Sequence, residues 1–144
     1  MKKNLMSAAA GMMVAVAMTV LATTVPMLAQ HAGPMKVTVP FNFVVENDRL
    51  QAGEYTIERV ANGRLRIHNN DGSVSTTFIA LPTEGPATME KAHFIFDHYG
   101  NEYFLAKIWT PGQSAGWEVL KGKLEMELAK KSTTRVETAS VVGH

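Results

Sequence analysis

Gly112-Gln113-Ser114-Ala115-Gly116 spells G-x-S-x-G, the pattern in which a serine rides a strand-to-helix elbow and attacks a carbonyl carbon. That chemistry needs an acid and then a histidine later in the chain, and only His144 follows Ser114. Trp117-Glu118-Val119-Leu120 does not open like a helix, so a Gly/Ser-rich loop is expected, the motif reads as a chance match, and no catalytic residue is assigned. The histidines offer no metal set. His93 and His98 are five residues apart and on one strand point to opposite faces, and His68 alternates with Arg64 and Arg66 on a polar face. His93 and Asp97 share a face but lie about 13 Å apart at ~3.3 Å per residue. Asp71 belongs to a turn, and Glu125 and Glu127 diverge on a helix. There is no phosphate-cradling glycine loop, zinc spacing or calcium loop, so neither a metal nor a cofactor is expected.

The elements that carry these residues read as short strands. Val37, Val39, Phe41, Phe43 and Val45 alternate with polar residues, the two-residue period of a half-buried strand. Pro40 interrupts it with a missing N–H, which predicts an edge or a bulge. Glu54 to Val60 and Arg64 to Asn69 read as a hairpin. A three-residue loop, Ala61-Asn62-Gly63 with Gly63 left-handed, sets Ile57 opposite Ile67 and Glu58 opposite Arg66. A two-residue turn at Asp71-Gly72 then sets Leu65 and Ile67 beside Val74, Thr76 and Phe78. Ala92 to His98 and Glu102 to Trp109 form another hairpin. A three-residue loop, Tyr99-Gly100-Asn101, puts Phe94 and Phe96 with Phe104, Ala106 and Ile108. Ile95, Leu105 and Trp109 make the reverse face too apolar to be bare, so this pair is expected to lie centrally or under another element.

Pro82 to Pro86 and Thr110 to Gly116 read as connections, and Trp117 to Leu120 as a short strand. Lys123 to Lys131 reads as a helix with a Leu120, Leu124, Leu128 stripe that must dock on the sheet; Gly122 before it is a weak cap. Residues 132–144 show no apolar period and are expected to be a flexible tail. The fold class is therefore all-β, an antiparallel sandwich or small barrel of about 7–8 short strands, with one short C-terminal helix at about 123–131.

Residues 1–29 have the layout of a secretory leader: a cationic start with Lys2 and Lys3, an apolar run from Leu5, and small residues at Ala22, Ala29 and Ala32 where cleavage fits. Ala29 is preferred; an uncleaved anchor is the alternative, since the run approaches the ~20 residues that span a bilayer. Beyond the leader, residues 30–131 read as a single β-rich domain, with the tail of residues 132–144 outside it. The whole chain has 14 Lys+Arg against 13 Asp+Glu, and loss of Lys2 and Lys3 brings the rest close to neutral. Such a surface gives no pull on a polyanion, so nucleic acid is not an expected partner. The chain has no cysteine, so its stability outside the cytoplasm must come from packing and backbone pairing rather than disulfides.

Val39-Pro40-Phe41-Asn42-Phe43-Val44-Val45, then Leu50 to Ile57 with Ala52-Gly53-Glu54-Tyr55-Thr56, then Tyr99 to Leu105 and Glu125 to Lys130, resemble motifs of a group of small exported β-rich proteins from acidobacterial-type soil bacteria. The resemblance implies a fold and an exported address; no activity or site residues come with it.

These readings together predict an exported, non-enzymatic β-domain of the periplasm or medium that acts by binding an unidentified protein or envelope component, with contact to a membrane only through an uncleaved leader. A small barrel carrying an apolar ligand is the alternative, and a hydrolase stands third. Complete filling of the interior by Val39, Phe41, Phe43, Ile57, Leu65, Ile67, Phe78, Phe94, Phe96 and Phe104 separates the first two.

Overall fold

Pro40 cuts the first apolar run in two. In the computed structural model, which describes residues 33–85, 87–132 and 137–144, β1 (Met35–Val39) stops before it and β2 (Phe43–Val45) starts after it. The remaining elements are β3 (Asp48–Leu50), β4 (Gly53–Ala61), β5 (Arg64–Asn69), β6 (Ser75–Glu84), β7 (His93–Tyr99), β8 (Glu102–Trp109), β9 (Ala115–Val119), α1 (Lys123–Lys131) and β10 (Glu137–Val142). The expected leader over residues 1–29 lies outside the described residues. No helix among the described residues is long and apolar enough to cross a membrane.

The strands form one sheet, in the order β1-β4-β5-β6-β9-β8-β7-β10. β6 turns the corner, pairing with β5 through Ser75–Ile79 and with β9 through Ala80–Glu84. The two ends of this order meet where His144 N–H donates to the Lys36 carbonyl at 3.1 Å, so the sheet curls into a small barrel. Lys36 turns its backbone to that seam, and Thr38 shares its parity, as do Pro34 and Pro40, which have no N–H to offer. Proline and lysine at such an edge discourage pairing with foreign strands. The β2–β3 hairpin lies beside β8, joined by the parallel bridge Val44↔Phe104.

The registers follow side-chain parity. Ile57 faces Ile67, Glu58 faces Arg66, and Gly63 is left-handed at φ 69°, as the apolar pattern requires. The extra residue sits in a bulge at Val60, however, leaving Asn62-Gly63 as the loop between Ala61 and Arg64. Leu65 faces Phe78 and Ile67 faces Thr76, the expected register, although the strands separate earlier into the loop 70–74.

The β7–β8 hairpin departs from expectation. Tyr99 pairs with Glu102, so the turn is the two residues Gly100-Asn101, with Gly100 at φ 61°. Glycine at the first central position suits a tight type II′ hairpin turn. Parity then shifts, placing Leu105 opposite Phe96, and a bulge at Ala106 shifts it back to put Ile108 opposite Phe94. Leu105 therefore faces the core and Phe104 faces out, the reverse of the expected arrangement.

The core joins Val37, Val39, Phe43, Val45, Ile57, Leu65, Ile67, Phe78, Phe94, Phe96, Leu105 and Ile108, all buried. Phe43 meets Tyr55 and Phe96 edge to face at centroid distances of 5.4 and 5.5 Å, a favourable aromatic geometry. Phe41 is only half-buried at the border, stacked on Tyr103 at 4.0 Å. On the outer face Val44, Tyr99 and Phe104 form a second cluster under Leu124 and Leu128 of α1. The helix thus covers an outer face made by Tyr99 and Phe104, not the expected Ile95, Leu105 and Trp109, of which Leu105 lies in the core; Leu120 stays outside the stripe, bonded through its N–H to the Ile79 carbonyl.

The segment expected as a flexible tail includes β10, which pairs with β7 from Glu137↔His98 to Val142↔His93. Its Ala139 and Val141 pack against the core. Two small apolar residues two apart are enough to make an inward face once β7 offers an unpaired edge.

Candidate functional site

Ser114 is exposed in a bend that leads directly into β9. A strand, not a helix, follows it, so the residues of the G-x-S-x-G match do not form an elbow. Its carbonyl accepts the Gly85 N–H, which ties two connecting loops together. Among the described residues no group of three or more His, Asp or Glu side chains could hold a metal. His98 stacks face to face on Tyr103 at 4.1 Å, and His144 Nε2 lies 3.8 Å from Glu54 Oε1.

Two other constellations carry polar chemistry. The first lies under the start of α1. Lys121 Nζ is 3.4 Å from both Asp97 Oδ2 and Glu125 Oε1, and it donates to Tyr99 Oη at 3.3 Å. Glu125 is 3 % exposed, and its Oε1 takes no hydrogen bond of good geometry. Burial pushes the Glu125 carboxyl up to about 7, Lys121 opposes the rise and Asp97 adds to it. Burial alone would lower Lys121, but Tyr99, Glu125 and Asp97 outweigh it and raise the ammonium above its ordinary value. The group borders an outer cleft of about 290 Å³ with Ile95, Lys107 and Glu118. The lysine occupies the place between the acids, so the arrangement reads as a self-neutralised clamp between helix and sheet.

The helix itself begins without help from Gly122, which has no side-chain cap. Asn47 supplies one from the β2–β3 turn, its Oδ1 accepting the Lys123 N–H at 3.0 Å. Glycine is required at 122 for space, because a Cβ there would run into the Glu46 carbonyl. Glu46 holds φ 52°, unusual for a residue with a side chain, and its carboxylate accepts the Ile79 N–H at 2.8 Å.

The second constellation is the end of the barrel where the β1–β2 break, the β3–β4 turn, the β5–β6 loop and the β7–β8 turn converge. A cleft of about 600 Å³ runs over Arg49 to Tyr55 and Asn69 to Val74, and a neighbouring one of about 430 Å³ shares Arg49, Leu50 and Gln51 and reaches Asn42, Asn101 and Glu102. Short bonds fix the walls. Asn42 Oδ1 accepts the Ala52 N–H at 2.9 Å, and Tyr55 Oη donates to the Gln51 carbonyl at 2.8 Å. Burial raises the Tyr55 phenol, against the lowering effect of that bond. Asn69 Oδ1 accepts the Val74 N–H at 3.0 Å and its Nδ2 donates to Ser73 Oγ at 2.8 Å. Asp71 Oδ1 accepts the Ser73 N–H at 2.8 Å, and the Ser73 hydroxyl and N–H lower its pKa. Arg49 Nη1 reaches both Glu102 oxygens at 2.8 Å between the two clefts.

Sequence reasoning assigned neither constellation. The only local signal for the first is the spacing of four between Lys121 and Glu125; the second exists only once four separated turns are brought to one end. No family model, no curated protein and no solved structure matches the chain.

Proposed function

We propose that this chain is an exported, non-enzymatic binding domain that works through its outer surface in the periplasm or medium, consistent with the soil-bacterial group its motifs resemble. One observation carries the reading against a carrier: the inward side chains of β1, β4, β5, β6, β7 and β8 pack on one another in a single buried cluster. A carrier of a drug-sized apolar compound needs about 300 Å³ or more of enclosed space. Among the described residues the larger clefts lie instead on the outside, at the turns, under the helix, and beside Met35, Ala92 and His144, where one of about 390 Å³ opens.

Native mass spectrometry of protein purified from its own host tests this, together with N-terminal sequencing. The expected result is an exported form that begins after Ala29 and carries no stoichiometric apolar molecule. A retained apolar compound released only on unfolding would establish the carrier instead, and recovery of intact Met1 from the cytosol alone would remove the exported role.

A further inference from the structure

We infer that the turn end of the barrel, over the joined clefts around Arg49 and Gln51, binds an uncharged polyhydroxylated ligand of the saccharide class. This rests on the reading that the protein binds through its surface. The argument starts from what the end leaves unsatisfied. Two of its charged groups are already answered within the protein, Arg49 by Glu102 at 2.8 Å and Asp71 by the Ser73 N–H, while Glu54 is exposed at the border, 3.8 Å from the His144 ring. Apart from Glu54, the free groups that remain are neutral. The side-chain amides of Gln51, Asn70 and Asn101 are exposed and take no partner among the described residues.

Each such amide offers two donors and an acceptor, the complement of a hydroxyl that both gives and takes a proton. A charged ligand would have to compete with the internal pairs, whereas a neutral polyol uses the free amides without breaking one. The space suits the class, since about 600 Å³ in the larger cleft lies within the usual range for a small-ligand site. Leu50, Tyr55 and Val74 supply an apolar floor for the C–H face of a sugar ring. The walls are pre-formed by the Asn42, Asn69 and Tyr55 bonds, so little ordering cost is left to binding.

Titration of the ¹⁵N-labelled full chain with cellobiose, maltose and diacetylchitobiose, read at side-chain amide resonances, tests the site. At least one sugar is expected to give saturable shifts at Gln51, Asn70 and Asn101. Gln51→Ala and Asn70→Ala should each weaken that binding about two- to tenfold, the value of one neutral hydrogen bond. Both should leave the melting temperature unchanged, and Gln113→Ala at the other end should leave the affinity unchanged. No saturable shift at these amides with any of the three sugars overturns the proposal, as does an affinity that the combined Gln51→Ala and Asn70→Ala variant leaves unchanged. Saturable shifts elsewhere on the surface would overturn this site while leaving surface binding intact; a retained apolar molecule in the native mass spectrum would instead remove the reading beneath it.

Discussion

Asn47 caps a helix that begins 76 residues later: its Oδ1 accepts the Lys123 N–H at 3.0 Å. The first turn of α1 would otherwise expose that donor, because Gly122 brings no oxygen of its own. The β2–β3 turn and the helix therefore fold against each other, and the contact holds the cover over Val44, Tyr99 and Phe104.

Asn47→Ala should lower stability by about 1 kcal/mol, the usual cost of a lost cap, whereas Asn47→Asp should keep it, since a carboxylate also favours a helix N-terminus. Gly122→Ala should cost more, about 1–3 kcal/mol, because its Cβ meets the Glu46 backbone, which has no rotamer with which to move aside. Urea denaturation of the three variants checks the order. An Asn47→Ala protein as stable as the parent would remove the cap from the account.

The pH dependence of stability follows from Glu125. Its carboxyl is raised from 4.5 to about 7 in the folded protein, so between those values the native state holds a proton that the unfolded chain has released. Stability then falls as pH rises through this window and levels off above it. Lys121, raised as well, contributes stability that is lost only in strongly alkaline solution, so it does not reshape the window. Asp97 and Tyr99 from β7, with Lys107 and Glu118 across the cleft, complete the charged surroundings. The loss should be of the order of 2 kcal/mol between about pH 5 and pH 8. Glu125→Gln keeps the shape without the charge and should flatten the curve, making the variant the more stable protein at the alkaline end. Chemical denaturation across this range tests it; a parent curve that rises with pH over the window contradicts the assignment.

How much of this was legible in sequence depended on how local the deciding interaction was. The β4–β5 and β5–β6 registers could be read because Ile57, Leu65, Ile67 and Phe78 must share one face, and a slip by one residue would turn them all outward. The β7–β8 hairpin misled because apolar residues stand on both of its faces, so parity did not choose a loop length. Gly100 and the Ala106 bulge decide it together, and a bulge leaves no mark in composition. The all-β class with one terminal helix was visible from periodicity alone. The clamp of Asp97, Lys121 and Glu125 was not, since Asp97 lies on a strand 24 residues before Lys121.

Gly100→Ala should destabilise by about 1 kcal/mol or more, because φ 61° disfavours any residue with a Cβ. Asn101→Ala should change stability by no more than about 0.5 kcal/mol, as an exposed side chain without a partner does. Thermal melts of the pair separate a backbone requirement from a side-chain one. Equal effects would mean that the turn is not the tight two-residue form.

Ending the chain at Ser132 should do more damage than any of these single substitutions. Without β10, Phe94 and Phe96 lose the cover of Ala139 and Val141, and β7 becomes an open edge with apolar side chains beside it, a template for pairing with other copies. The closing bonds, Gly143 N–H to the Ala92 carbonyl at 2.8 Å and His144 N–H to the Lys36 carbonyl at 3.1 Å, disappear as well. The truncated protein is expected to elute as oligomers and to lose its cooperative melt. His144→Ala keeps the backbone donor and should stay within about 0.5 kcal/mol of the parent. Size-exclusion chromatography and calorimetry on both decide the point: a monomeric truncation that melts like the parent would show that the barrel closes without its last strand.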